Sequence, residues 1–238
     1  SLVGSEMCIR DRDSFYVTVG LWQAGQNRIF IDCNVQSPAD MLSPGRIGMT
    51  AILPVRFTAM KWYGKGPLET YPDRQCGGRM GVYSEDVRNQ PFYLRPQEYG
   101  LHMESRSMRL TDPDRADFVR FEAACPMAMS AVPYSDLQLW NARHPLELPA
   151  PEALYVHLDY AHRGLGNSSC GPDVLPTYRI DDRPCHFGFA LEAGLGERED
   201  NPFSPIPEEI PAYHPWKAVG EQDRTPSYRD PSDPDQRS

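Results

Sequence analysis

Phe15-Tyr16-Val17-Thr18-Val19-Gly20-Leu21-Trp22-Gln23-Ala24-Gly25-Gln26-Asn27-Arg28-Ile29-Phe30-Ile31-Asp32-Cys33-Asn34-Val35 holds two runs of alternating apolar residues around one turn. Phe15, Val17, Val19 and Leu21 form the first run, and Ile29, Ile31, Cys33 and Val35 form the second. Successive side chains of an extended chain point to opposite faces, so a period of two predicts β-strands. Gln23-Ala24-Gly25-Gln26-Asn27 between them has the chemistry of a hairpin turn.

The same period recurs at Ile47, Met49, Ala51 and Leu53, at Leu154, Val156 and Leu158, and at Phe187, Phe189 and Leu191. Tyr16, Trp22, Phe30 and Tyr155 face the other way, which predicts cover on both faces of the sheet. Only Tyr134–Arg143 is predicted to be helical, with Ser135 as N-cap, Asp136 in the first turn, and Leu137 and Trp140 sharing a face. The expected fold is therefore all-β, a large antiparallel β-sandwich with one short helix.

Composition agrees with that class and narrows the partners. The chain has 238 residues, 40% hydrophobic and 11% aromatic, enough for one sizeable β domain. Its 24 prolines disfavour long helices. A net charge of −9 argues against nucleic acid and anionic membranes as partners, and the apolar runs are too short to span a bilayer as helices. Six cysteines, Cys8, Cys33, Cys76, Cys125, Cys170 and Cys185, contain no C-x-x-C pair. That spacing suits buried free thiols of a reducing compartment, and so a cytoplasmic setting, better than zinc or redox chemistry.

The two ends differ from the middle. Residues 1–12, Ser-Leu-Val-Gly-Ser-Glu-Met-Cys-Ile-Arg-Asp-Arg, resemble a translated sequencing-library adapter and are expected to be non-native. The domain is then 13–193, incomplete at its N-terminus. Residues 194–238 carry eight prolines and ten acids against five bases, so they are expected to form a mostly disordered tail. Ile206, Ile210, Tyr213 and Trp216 are the tail residues suited to docking on the domain.

Several loops between the strands form an ordered series. Ser43-Pro44-Gly45-Arg46-Ile47-Gly48 comes first, then Trp62-Tyr63-Gly64-Lys65-Gly66-Pro67-Leu68-Glu69-Thr70-Tyr71-Pro72-Asp73-Arg74. Arg95-Pro96-Gln97-Glu98-Tyr99-Gly100 follows, then Leu158-Asp159-Tyr160-Ala161-His162-Arg163-Gly164-Leu165-Gly166-Asn167, and last Leu175-Pro176-Thr177-Tyr178-Arg179. From about Phe15 to about Leu191 this series resembles the C-terminal domain of the large β-galactosidases of glycoside hydrolase family 2. The Trp-Tyr-Gly-x-Gly-Pro…Tyr-Pro-Asp-Arg element is its most specific part.

The resemblance implies a galactose-mutarotase-like β-supersandwich, the last of five domains, also known as the small-chain region. It implies a parent that hydrolyses terminal β-galactosides such as lactose with retention of configuration. That chemistry needs two carboxyl groups about 5–5.5 Å apart. In the family both belong to an upstream (β/α)8 barrel, together with the ligands for Mg2+ and Na+. No catalytic residue and no metal ligand is then expected in this chain. The implied partners are the missing upstream domains or a large subunit, a galactoside substrate, and further copies in a homo-oligomeric parent. Glu69, Glu98 and Asp159 match structural or rim elements rather than a catalytic pair.

Two segments are candidates for the rim of that active site. Residues 64–74 match a mobile bordering loop, in which Gly64, Lys65, Gly66 and Glu69 are the candidate site residues. Gly64 and Gly66 would supply backbone freedom there, and the alternative is a structural turn in which Asp73 and Arg74 pair with neighbouring backbone. The second segment is Gly164–Pro172, with Asn167, Ser168, Ser169 and Cys170. In the best-known members this loop ends in a Trp that stacks on sugar. Cys170 stands at that place, allowing for a one-residue gap, and a thiol cannot stack. Cys170 either touches substrate or packs, and the sequence leaves both open.

Other conspicuous residues have plainer readings. Trp62 and Tyr63 are expected in the core. His102, His144, His157, His162 and His186 show no metal spacing and are expected to line packing or loop contacts, while Gly164-x-Gly166 is a turn. Two further functions remain as alternatives. A free-standing carbohydrate-binding module would bind sugar without the barrel. An aldose epimerase would need a His acid and a Glu base across one pocket, and no motif here matches one.

Overall fold

The computed structural model describes residues 2–9, 13–23, 26–36, 43–90, 93–166, 171–181 and 183–196. Ten strands follow in order: β1 (Leu2–Ile9), β2 (Asp13–Gln23), β3 (Arg28–Gln36), β4 (Arg46–Pro54) and β5 (Ala59–Gly66), then β6 (Arg79–Asp86), β7 (His102–Thr111), β8 (Phe118–Val132), β9 (Ala153–His162) and β10 (Cys185–Gly194). Every pairing among them is antiparallel. The hydrogen-bonded path runs β1-β2-β3-β10-β8-β7-β5-β6, with β9 also on β8 and β4 on β9.

That path folds over itself because β8 serves two layers. Its first half, Phe118–Ala123, pairs with β10, and its second half, Ala128–Val132, pairs with β9. Pro126 lies between the halves, where a residue without an amide hydrogen costs no ladder bond. The β9–β4 layer then covers the β3–β10 layer. Across the gap Cys33 Sγ of β3 meets Met49 Sδ of β4 at 3.3 Å, and Tyr160 of β9 stacks on Phe187 of β10 at 5.5 Å. One core spans both layers and includes Ile31, Trp62, Phe121, Met129, Leu158 and Phe189. The architecture is an all-β antiparallel sandwich, as the alternation predicts.

The alternation also identifies the inward faces. Leu154, Val156 and Leu158 are completely buried, and Met49, Ala51 and Leu53 pack against the core opposite them. The pattern weakens at the β2–β3 hairpin, where Leu21 and Ile29 are partly exposed. The opposite faces are covered too. Trp22 packs on Phe30 at 4.8 Å, and Tyr155 joins Tyr99, Val132 and Leu139 in a separate cluster.

The single α-helix among the described residues, α1 (Asp136–Asn141), starts at the expected cap. Ser135 accepts from the Gln138 amide and the Gln138 side chain accepts from the Ser135 amide, a capping box. Leu137 and Trp140 do share a face, but it is the solvent face, with Trp140 84% exposed. Leu139 is the residue that anchors the helix, since the helix is too short for a second apolar row to reach the core. The four described cysteines among those at 33, 76, 125 and 185 are free. The expectations for the tail beyond residue 196, including Ile206, Ile210, Tyr213 and Trp216, lie outside the described residues.

Candidate rim of an active site

The 64–75 segment begins as the end of β5 and is fastened along 93–105. Lys65 Nζ donates to Glu104 at 2.6 Å and to Gln75 at 2.7 Å. Glu69 accepts from the Gly100 amide at 2.8 Å, from Arg74 at 2.7 Å and from the Tyr93 hydroxyl. The Thr70 amide donates to Leu101 O at 2.7 Å, and its hydroxyl accepts from the Met103 amide at 2.9 Å. The Glu69 side chain is only 8% exposed, so both candidate polar residues of this segment are engaged within the fold.

Gly64 and Gly66 stand where packing leaves no space for a side chain. Neither has the positive φ seen at Gly100, Gly166 and Gly196. A Cβ at Gly64 would stand 2.5 Å from Ser105 Oγ, and one at Gly66 would stand 2.6 Å from the Tyr83 ring. Strand β5 therefore needs glycine because β7 and Tyr83 press against it. Trp62 is in the core as expected, stacked on His102 at 3.9 Å with its indole donating to Lys65 O at 3.1 Å.

The partners of Asp73 come from the second segment, not from the backbone beside it in sequence. Its two carboxylate oxygens accept the Leu165 and Gly166 amides at 3.0 and 2.7 Å. The two candidate segments are thus brought together. Asn167, Ser168, Ser169 and Cys170 themselves lie outside the described residues.

Beside this rim is a buried charged cluster whose composition the sequence did not announce. The guanidinium of Arg46 pairs with Glu98 and approaches Asp136 at 3.7 Å and Asp159 at 3.8 Å. The register sets this up, since Arg46 lies opposite His162 and Gly48 opposite Asp159, with a bulge between Ile47 and Gly48. A Cβ at Gly48 would stand 2.5 Å from Asp159 Oδ1, so only glycine leaves room for that carboxyl. Tyr71 donates to Glu98 at 3.5 Å, and Thr50 bonds His157 Nδ1 at 3.0 Å.

Burial dominates the ionisation of this cluster. It pushes the Asp159 carboxyl up to about 8 and raises Glu98, with Arg46 opposing in each case. It holds His102, His157 and His162 down at about 4, so all three imidazoles are neutral near pH 7. Glu69 and Glu98 have hydrogen-bond partners inside the fold, whereas the Asp159 side chain, 1% exposed, has only the Arg46 guanidinium 3.8 Å from its Oδ2, which makes no hydrogen bond. Among the described residues no three His, Cys, Asp or Glu side chains are grouped as metal ligands.

With this geometry in view, comparison with known proteins is decisive about family. The model of the β-galactosidase small chain matches residues 10–191. The chain belongs to the β-galactosidase small-chain family. It is 33% identical over 193 residues to the β-galactosidase BgaC of Bifidobacterium adolescentis, covering 79% of this chain and 18% of that protein. It is 33% identical over 168 residues to a β-galactosidase of Arthrobacter sp. (strain B7), covering 67% of this chain and 16% of that protein. The Staphylococcus xylosus β-galactosidase is 31% identical over 156 residues, covering 64% and 16%. This small-chain domain thus spans about one sixth of the length of the curated relatives it matches. Its backbone also resembles a putative aldose 1-epimerase of Escherichia coli K12 at 10% identity, over 82% of this chain and 65% of that one. The TM-score there is 0.41, too low to assign a shared fold.

Proposed function

We propose that this chain is the C-terminal part of a glycoside hydrolase family 2 β-galactosidase, which cleaves terminal β-D-galactosides such as lactose with retention. In this reading it borders, through 64–74 and 164–172, the active site of a (β/α)8 barrel that supplies the nucleophile, the acid/base and the Mg2+ and Na+ sites. The single observation that carries the proposal is the small-chain match over residues 10–191.

A second reading, a separately encoded small subunit that assembles with a large one, is favoured by the name of the matching family itself. Both readings predict that the purified chain leaves a nitrophenyl β-galactoside uncleaved, and that cleavage appears when a barrel-bearing part is joined or added. Cleavage by the chain alone, abolished by a substitution within it, would refute both. The DNA upstream of the Asp13 codon separates them: an uninterrupted frame encoding a barrel supports the single chain, and a nearby start codon supports the subunit.

A further inference from the structure

We infer that Asp73 is a positioning residue that locks residues 164–166 to the 64–75 segment, so that the two behave as one unit of the rim. The inference deepens the proposed function and rests on it for its consequence in catalysis. Asp73 projects from a tight turn in which the Arg74 amide donates to Tyr71 O at 2.8 Å, and Tyr71 is completely buried. From there its carboxylate receives two consecutive amides, Leu165 N on Oδ1 and Gly166 N on Oδ2. Two N–H groups on the two oxygens of one carboxyl group fix orientation as well as distance.

The receiving backbone is shaped for this contact. A Cβ at Gly164 would stand 2.8 Å from Asp73 Cγ, and Gly166 holds a φ of +61°, a conformation that suits glycine. The described residues on either side are tied to each other as well. Asp173 accepts from Arg163 at 2.5 Å and from Arg179 at 3.2 Å, while the Gly164 amide donates to Tyr178 O at 2.9 Å. Asp173 thus joins Arg163 and Arg179, whereas Asp73 ties Leu165 and Gly166 to the other segment. A displacement of the 71–74 turn must carry Leu165 and Gly166 with it.

Amide hydrogen exchange on the 238-residue chain tests the lock. In Asp73→Asn the side chain keeps its size, but one of the two acceptors becomes an NH2 group. The amides of Leu165 and Gly166 are expected to exchange roughly tenfold faster or more, with the β8–β9 ladder unchanged. Unchanged exchange at both amides would overturn the inference, and so would uniform acceleration through the β8–β9 ladder. In the enzyme assembled with its barrel, Asp73→Asn is expected to raise KM for a nitrophenyl β-galactoside several-fold, with kcat within about twofold. An unchanged KM would overturn the coupling to substrate. If the wild-type assembly cleaves no β-galactoside, the proposed function falls instead, and the exchange result alone decides the role of Asp73.

Discussion

Strand β9 and the 64–75 segment are both firmly held, but by opposite means. Leu154, Val156 and Leu158 of β9 are buried among apolar side chains from both layers. Burial of that kind is non-directional, and any neighbour of suitable size satisfies it. The 64–75 segment is held by polar bonds, each needing one particular partner: Glu104 for Lys65, Gly100 for Glu69, Leu165 and Gly166 for Asp73. The strand can lose a methyl group by degrees, whereas the segment loses whole anchors.

Changes in the two regions should therefore differ in size. The largest effect is expected in the core, where Phe121→Ala removes a completely buried ring shared by both layers. A loss of about 3–5 kcal/mol is expected from urea denaturation. A loss below about 1 kcal/mol would mean that the layers are not joined there.

Glu69→Ala should cost less, about 1.5–3 kcal/mol, because the Gly100 amide and the Tyr93 hydroxyl lose a charged acceptor. The same variant sharpens the contrast through exchange: the Gly100 amide should open while the β4–β9 ladder stays protected. Equal opening in both would erase the distinction between region and core.

The smallest effect is one of pH, and its sign follows from the buried cluster. Between about 4 and the ordinary imidazole value near 6.5, the unfolded chain binds protons that His102, His157 and His162 refuse when folded. Stability from these groups rises with pH through that window and is complete above it. Asp159 acts oppositely. From the ordinary carboxyl range up to about 8 it holds a proton in the folded chain that the unfolded chain releases. Stability should accordingly decline from about pH 6.5 to 8, and Asp159→Asn should flatten the decline. A wild-type urea midpoint at pH 8 equal to that at pH 6.5 would contradict this assignment.

Much of this was legible in the residues themselves, unevenly. The strands with strict alternation, β3, β4, β9 and β10, announce their inward faces. Strand β8 does not, because it is buried on both faces along much of its length and changes partner midway, which erases any period of two. The Ser135 cap is a local signal and is found where expected. The outward turn of Trp140 is not local, since it depends on which helix face meets Tyr99 and Val132. Arg46, Glu98 and Asp159 each stand in a recognisable motif, yet no spacing along the chain says that one guanidinium serves both carboxyls.

By itself the sequence determined an all-β chain, its inward faces, its helix cap and its kinship, because propensity, alternation and motif all act over a few residues. Tertiary structure alone decided that Gly64 and Gly66 make room for Ser105 and Tyr83, that Glu69 is an anchor, and that Asp73 reaches residues 92 and 93 positions further on. Such ties depend on the register of strands that are distant in sequence. A polar side chain carries its bonding capacity in its chemistry, but the partner that satisfies it is set only when the layers close.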